Sequence, residues 1–374
     1  MTHDRTDAFA SGPDRPRWWI YRGTGEELRD VTLGAVLPEP PPWRRFTGGP
    51  ALSRPPSDEA ETLRRLGARP SARPLSPFAR REAEMVNASL LLRRPLLVTG
   101  RPGTGKSSLA YRVSRELRLG RVLRWHITST STLQRGLYEY DAIGRVHDTA
   151  ALRAGLGPDS GGTGGPAAPA PLPEIGDYLQ LGPLGTALLP WEEPRVLLID
   201  ELDKSDIDLA NDLLSVFEEG SFTIPELVRA RRRHPVVTVQ TDDPRGEAAV
   251  AGGVVTCRAF PVVIMTSNSE REFPPAFLRR CLVLTMPEPG AEDLTHMLAA
   301  HFGDDTPPGL VGSLIERFLE RSRERGGLSI DQLLNSLYLA RSHDAGEPSD
   351  GVLSLADTLW HRLDGGGAEA GGAR

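Results

Sequence analysis

The sequence has almost no lysine. Two are present, Lys106 and Lys204, and all the other strongly basic residues, of 44 in total, are arginine. A chain that uses arginine nearly everywhere has kept an ammonium group at two places. Cysteine is scarce too. Cys257 and Cys281 are far apart and lack a Cys-x-x-Cys partner, which argues against a disulfide framework or a cysteine metal site; two buried, reduced thiols are expected. No apolar run approaches the length that spans a bilayer. The opening M-T-H-D-R-T-D-A-F-A holds no apolar segment, so no signal peptide is expected and a cytoplasmic location is. An excess of positive charge is also missing. The formal charge of −6 argues against a chain whose whole task is to coat nucleic acid, although a local basic patch remains compatible with it.

What is present divides the 374 residues unevenly. Residues 1–75 are rich in Pro and Arg, which excludes long regular structure. The tryptophans and tyrosine of W-W-I-Y-R-G-T-G and P-E-P-P-P-W-R-R-F suggest an extended arm docked on a neighbouring surface, with a free tail as the alternative. From residue 76 to 287 short apolar strands alternate with helical periodicity. A helix over 76–93 carries Ala79, Ala83, Val86, Leu90 and Leu91 on one face. Strands follow at Arg94 to Gly100, Val122 to Ile127, Val196 to Ile199 and Pro261 to Thr266, with helices from Ser107 and from Asp206. The second of these turns Ile207, Leu209, Leu213, Leu214 and Phe217 inward. Thr128 to Leu152 reads as a loop and helix. Residues 154–173 are a Gly/Pro/Ala insert to which no structure is assigned. Residues 221–260 alternate short strands and turns. Residues 288–364 are helical, and 365–374 form a Gly-rich tail. Buried apolar strands separated by helices predict an α/β class with a parallel sheet and a smaller C-terminal α-helical unit.

Gly100 to Ser107 reads G-R-P-G-T-G-K-S, the G-x-x-x-x-G-K-[ST] pattern, after a predicted strand and before a predicted helix. Its glycines let successive backbone N–H groups curl into an anion nest, and the helix points its positive end there. Gly100, Arg101, Pro102, Gly103, Thr104, Gly105, Lys106, Ser107 and Ser108 are therefore candidate nucleotide-binding residues. Lys106 is expected at the β/γ-phosphates and the Ser107 hydroxyl on Mg²⁺. V-L-L-I-D-E ends a buried strand in two carboxylates. Asp200 is the candidate for the Mg²⁺ shell and Glu201 for the residue that orients or deprotonates water. V-V-I-M-T-S-N places Asn268 at a strand's C-terminal end, where ligands bind in open α/β sheets; the alternative is an Asn that starts a turn. F-P-P-A-F-L-R-R-C carries Arg279 and Arg280, either surface charges or an arginine finger for a neighbouring subunit.

This ordered set resembles the AAA+ ATPases. The stretch L-L-I-D-E-L-D-K-S-D-I-D-L-A-N-D-L-L-S-V-F-E-E-G-S-F-T-I is similar to the MoxR-like branch, over roughly residues 76–345. The resemblance implies ATP as the nucleotide, Asn268 as sensor 1, and Arg280, ahead of Arg279, as the finger. It also implies a homo-oligomer, with a hexameric ring as the family default, and a separately encoded protein partner, in some cases with a von Willebrand A domain. Asp331 stands where the family usually has the sensor 2 arginine, so that function is either absent or taken by Arg341 or another lid arginine. The activity implied is ATP-driven remodelling of a protein. A nucleotide-gated assembly switch with slow turnover, in some systems for bacterial defence, is the second reading. A nucleic-acid motor is the third, resting only on Arg229, Arg231, Arg232 and Arg233, a run that more often forms a solvated face or a subunit contact.

Overall fold

The computed structural model describes residues 16–28, 32–53, 56–68, 76–153, 174–303, 306–325 and 328–343, together with Trp360. The 154–173 insert, the 365–374 tail and most of the segment after His343 lie outside them. In chain order the first elements are α1 (Leu33–Val36), α2 (Glu59–Leu66), α3 (Pro77–Leu92), β1 (Leu96–Thr99), α4 (Ser108–Leu117) and β2 (Leu123–His126). Then come α5 (Leu133–Leu137), β3 (Tyr138–Tyr140), α6 (Ala142–Arg153), β4 (Leu179–Leu181), α7 (Pro183–Ala187), β5 (Val196–Asp200) and α8 (Ile207–Glu219). Next are β6 (Ser221–Thr223), α9 (Pro225–Ala230), β7 (Val236–Gln240), β8 (Glu247–Ala251), β9 (Val254–Thr256) and β10 (Val262–Ser267). The last are α10 (Pro275–Leu278), β11 (Leu282–Thr285), α11 (Ala291–Phe302), α12 (Pro308–Arg325) and α13 (Ile330–His343).

Five parallel strands form the central sheet in the order β11-β1-β10-β5-β2. Its inner strands are apolar on both faces, as a sheet covered on both sides requires. Leu96, Val98, Val196, Leu198 and Ile264 pack toward α3 and α4. Leu97, Leu197, Ile199, Val263 and Met265 belong to the opposite core, with α7 and α8. β2 is an edge strand and behaves differently: Leu123 and Trp125 are buried, whereas Arg124 and His126 alternate outward.

Several expectations change. Ile207 is half-exposed, because the buried stripe of α8 runs through Leu209, Leu213, Val216 and Phe217, and Ile207 falls on the other side of the helix. A second sheet, in the order β3-β4-β7-β8, was not foreseen; two of its strands are only three residues long. The arm also contains more than extended chain. Asp58 caps α2 by accepting from the Glu61 N–H at 3.0 Å. Residues 19–25 lie along the chain's own α3 and α4, with Trp19 and Tyr21 buried. Asn87 accepts from the N–H groups of Ile20 and Tyr21 at 2.7 and 3.0 Å. Glu116 accepts from those of Arg22, Gly23 and Gly25.

Helices α11, α12 and α13 share a separate apolar cluster that includes Leu294, Leu314, Phe318, Leu333, Leu337 and Trp360. Both cysteines are buried and unpaired. Arg231, Arg232 and Arg233 stand exposed in the turn before β7. Among the described residues no helix is long and apolar enough to cross a membrane.

Candidate nucleotide site

The C-terminal ends of β1, β10, β5 and β2 open into a cleft of about 530 Å³. The loop after β1 forms its floor. Gly103 and Gly105 adopt φ +75° and +83°, a region open to glycine with little strain. Gly103 also backs directly onto the helical unit: a Cβ there would stand 2.6 Å from the Cα of Ser329. Lys106, nearly buried, donates to the carbonyls of Gly100 and Arg101 at 2.8 and 2.7 Å and to Asn268 Oδ1 at 2.8 Å. Burial lowers its pKa, opposed by the charges of Asp203, Asp200 and Glu201.

Asp200 ends β5 and is the hub of the opposite wall. Its Oδ1 accepts from Ser107 Oγ at 2.6 Å and from Thr266 Oγ1 at 2.7 Å, and its Oδ2 from Arg124 Nη2 at 3.0 Å. Burial pushes its pKa up, but these three hydrogen bonds outweigh that and hold it below the usual carboxylate value. Glu201 turns out of the strand at φ +63°, which brings its side chain into the same cleft. Its N–H donates to Thr266 Oγ1 at 2.9 Å. Its carboxylate meets Lys204 Nζ at 2.9 Å and lies 3.7 Å from His126 Nε2.

The structure thus gathers Lys106, Ser107, Asp200, Glu201 and Asn268. It leaves Arg279 and Arg280 outside the cleft lining. Arg280 is on the surface, paired with Glu218, while Arg94 donates to the carbonyls of Arg279 and Arg280.

A family model for the AAA domain, dynein-related subfamily, matches residues 95–281, half of the chain. The chain belongs to this AAA family. A search of curated proteins finds no match. Among solved structures, the AAA fold here is similar to a point mutant of RuvB from Thermotoga maritima, at 15% identity and TM-score 0.41, over 75% of this chain and 69% of that one. Similarity extends to NtrX from Brucella abortus in complex with ATP, at 14% identity and TM-score 0.37, over 81% of this chain and 59% of that one.

Sequence reasoning missed several contributors to the cleft. Arg124 and His126 were readable from the alternation L-R-W-H had β2 been assigned to a sheet edge. Asp203 accepts from the N–H groups of Asn268 and Glu270 at 2.8 and 3.1 Å, fixing the turn that presents Asn268; only the fold brings these together. From the helical unit, Met297, Ala300, His301, Ile330, Asp331 and Leu334 reach the cleft. Arg341 does not line it. Its guanidinium stacks 5.6 Å from the Phe302 ring centroid and donates to the Phe302 carbonyl at 3.1 Å.

Proposed function

We propose that this chain is an ATP-hydrolysing ring ATPase of the MoxR-like branch that remodels or activates a separately encoded protein partner. The carrying observation is the convergence of Lys106, Ser107, Asp200, Glu201 and Asn268 on one cleft from three adjacent strands. The donor set fits a magnesium triphosphate. A hydroxyl and a carboxylate already stand 2.6 Å apart at Ser107 and Asp200, oxygen ligands of the hard kind Mg²⁺ takes, and the glycine loop leaves room for phosphate. The bound ion would offset phosphate charge. Lys106 and the loop N–H groups hold the β/γ-phosphates. Glu201 orients or deprotonates the attacking water, and Asn268 positions it or the terminal phosphate.

Arg280 is exposed and held on the surface away from its own cleft, which supports a role in a neighbour's site through head-to-tail contacts. Mass measurement with and without ATP·Mg²⁺, run beside phosphate release, tests this reading. Glu201→Gln should bind nucleotide and assemble but lose about 10²–10⁴-fold in turnover. Arg280→Ala should bind nucleotide without hydrolysing it; retained full activity moves the finger to Arg279 or elsewhere. The pairing of Glu201 with Lys204 favours a second reading, a nucleotide-gated switch with slow turnover. Wild-type turnover no faster than that of Glu201→Gln selects the switch.

A further inference from the structure

We propose that Arg65, on arm helix α2, is a phosphate-reading residue of the cleft and supplies a cation that the described residues of the helical unit do not. The inference rests on the cleft being a nucleoside triphosphate site. Among the described residues lining the cleft, the helical unit contributes no Lys or Arg; its charged or titratable groups there are His301 and Asp331. Arg341, the replacement that the sequence offers by name, is turned onto Phe302. Elsewhere the cleft lining is arginine-rich. Arg64 and Arg65 of α2 line the same cleft as Lys106, Ser107 and Asp200.

Arg65 is the better placed of the two. Its stem is half-buried, and its guanidinium lies 5.7 Å from the centroid of the Tyr111 ring on α4. It lines the cleft together with Asp200, the acid bonded to Ser107. Arg64 is more exposed.

The local ion pairs are arranged for exchange. Arg65 Nε donates to Glu61 Oε1 at 2.9 Å, and Arg124 donates to Asp200. Glu61 has a second arginine: Arg64 Nε donates to its other oxygen at 2.8 Å. Arg65 can therefore leave for a phosphate without stranding the Glu61 carboxylate. A terminal phosphate, more highly charged and less hindered than a shared carboxylate oxygen, is the stronger acceptor.

Helix α2 also meets the helical unit. Its C-terminal Gly67, at φ +78°, sits so close to α11 that a Cβ would stand 2.3 Å from the Ala300 carbonyl oxygen. An arginine that reads phosphate from α2 thereby ties the arm, α11 and the nucleotide state together.

Equilibrium binding of fluorescent non-hydrolysable ATP and fluorescent ADP to the full chain tests this. Arg65→Ala should weaken the triphosphate about 10-fold and the diphosphate less than about 3-fold, while the free protein keeps its melting temperature. Arg65→Gln keeps the stem over Tyr111 and should give the same split, which covers loss of folding in the alanine variant. Arg341→Ala should leave both affinities unchanged. Equal losses for the two nucleotides, no loss, or loss of triphosphate preference in Arg341→Ala overturns the assignment. Lys106→Ala separates the levels: it should abolish binding of both nucleotides, and normal binding there would instead remove the nucleotide-site reading itself.

Discussion

The ammonium nitrogen of Lys204 stands 2.9 Å from Oε2 of Glu201, so one of the chain's two lysines holds the acid that follows Asp200. The bond to Glu201 raises the Lys204 pKa. Both groups are partly exposed, so the pair adds little to stability. Its effect falls on the carboxylate, which is less free to turn toward water while held. Lys204→Ala should therefore raise basal ATP turnover, by about 2–5-fold given the share that a positioned base supplies. Phosphate release at saturating ATP measures it, and unchanged turnover counts against a restraining role.

Arg195 is fully buried, donates twice to Asp243 at 2.7 Å, and lies 4.9 Å from the Trp191 ring centroid. Asp243→Ala leaves a buried guanidinium without its carboxylate and should destabilise the fold by about 3–5 kcal/mol. Urea unfolding followed by circular dichroism reads this as a lower midpoint. An unchanged midpoint would show that the pair is dispensable.

The His301 ring lines the cleft, and burial lowers its pKa from the ordinary 6.5, partly opposed by the charge of Asp331. The unfolded chain then binds the proton more readily than the folded one. Stability from the neutral ring is complete above about 6.5 and is lost as pH falls through the lowered folded value. Melting temperature should drop between pH 7.5 and 5.5, and less steeply in His301→Gln. Parallel slopes in the two proteins would assign the drop to other groups.

Burial pushes both thiols, Cys257 and Cys281, up to about 12. A thiolate-selective reagent at pH 8 should label neither in the native protein and both in denaturant. Mass spectrometry after brief exposure gives the count, and rapid native labelling would place a cysteine at the surface.

The central sheet was legible because its inner strands are short apolar runs that only a doubly covered sheet accommodates. The P-loop and the acids of Asp200 and Glu201 were legible because their spacing is local. The second sheet was not, since Tyr138 to Tyr140 and Leu179 to Leu181 are too short to show a period and acquire meaning only by pairing. Arg124 was hidden by reading Val122 to Ile127 as uniformly buried, when an edge strand keeps one face open. Arg65 was hidden by proline content, which described the arm as a whole and obscured eight helical residues within it.

β10 stands between β1 and β5, although it is the last of the three to be synthesised. A growing chain thus carries Lys106 and Asp200 long before the strand that sets their spacing exists. Thr266 and Asn268 join the cleft only when β10 inserts. On the proposed nucleotide reading, binding would stabilise the chain by mass action only once that step is done. A chain that ends before β10 would then lack that gain, which ties nucleotide stabilisation to completion of the sheet.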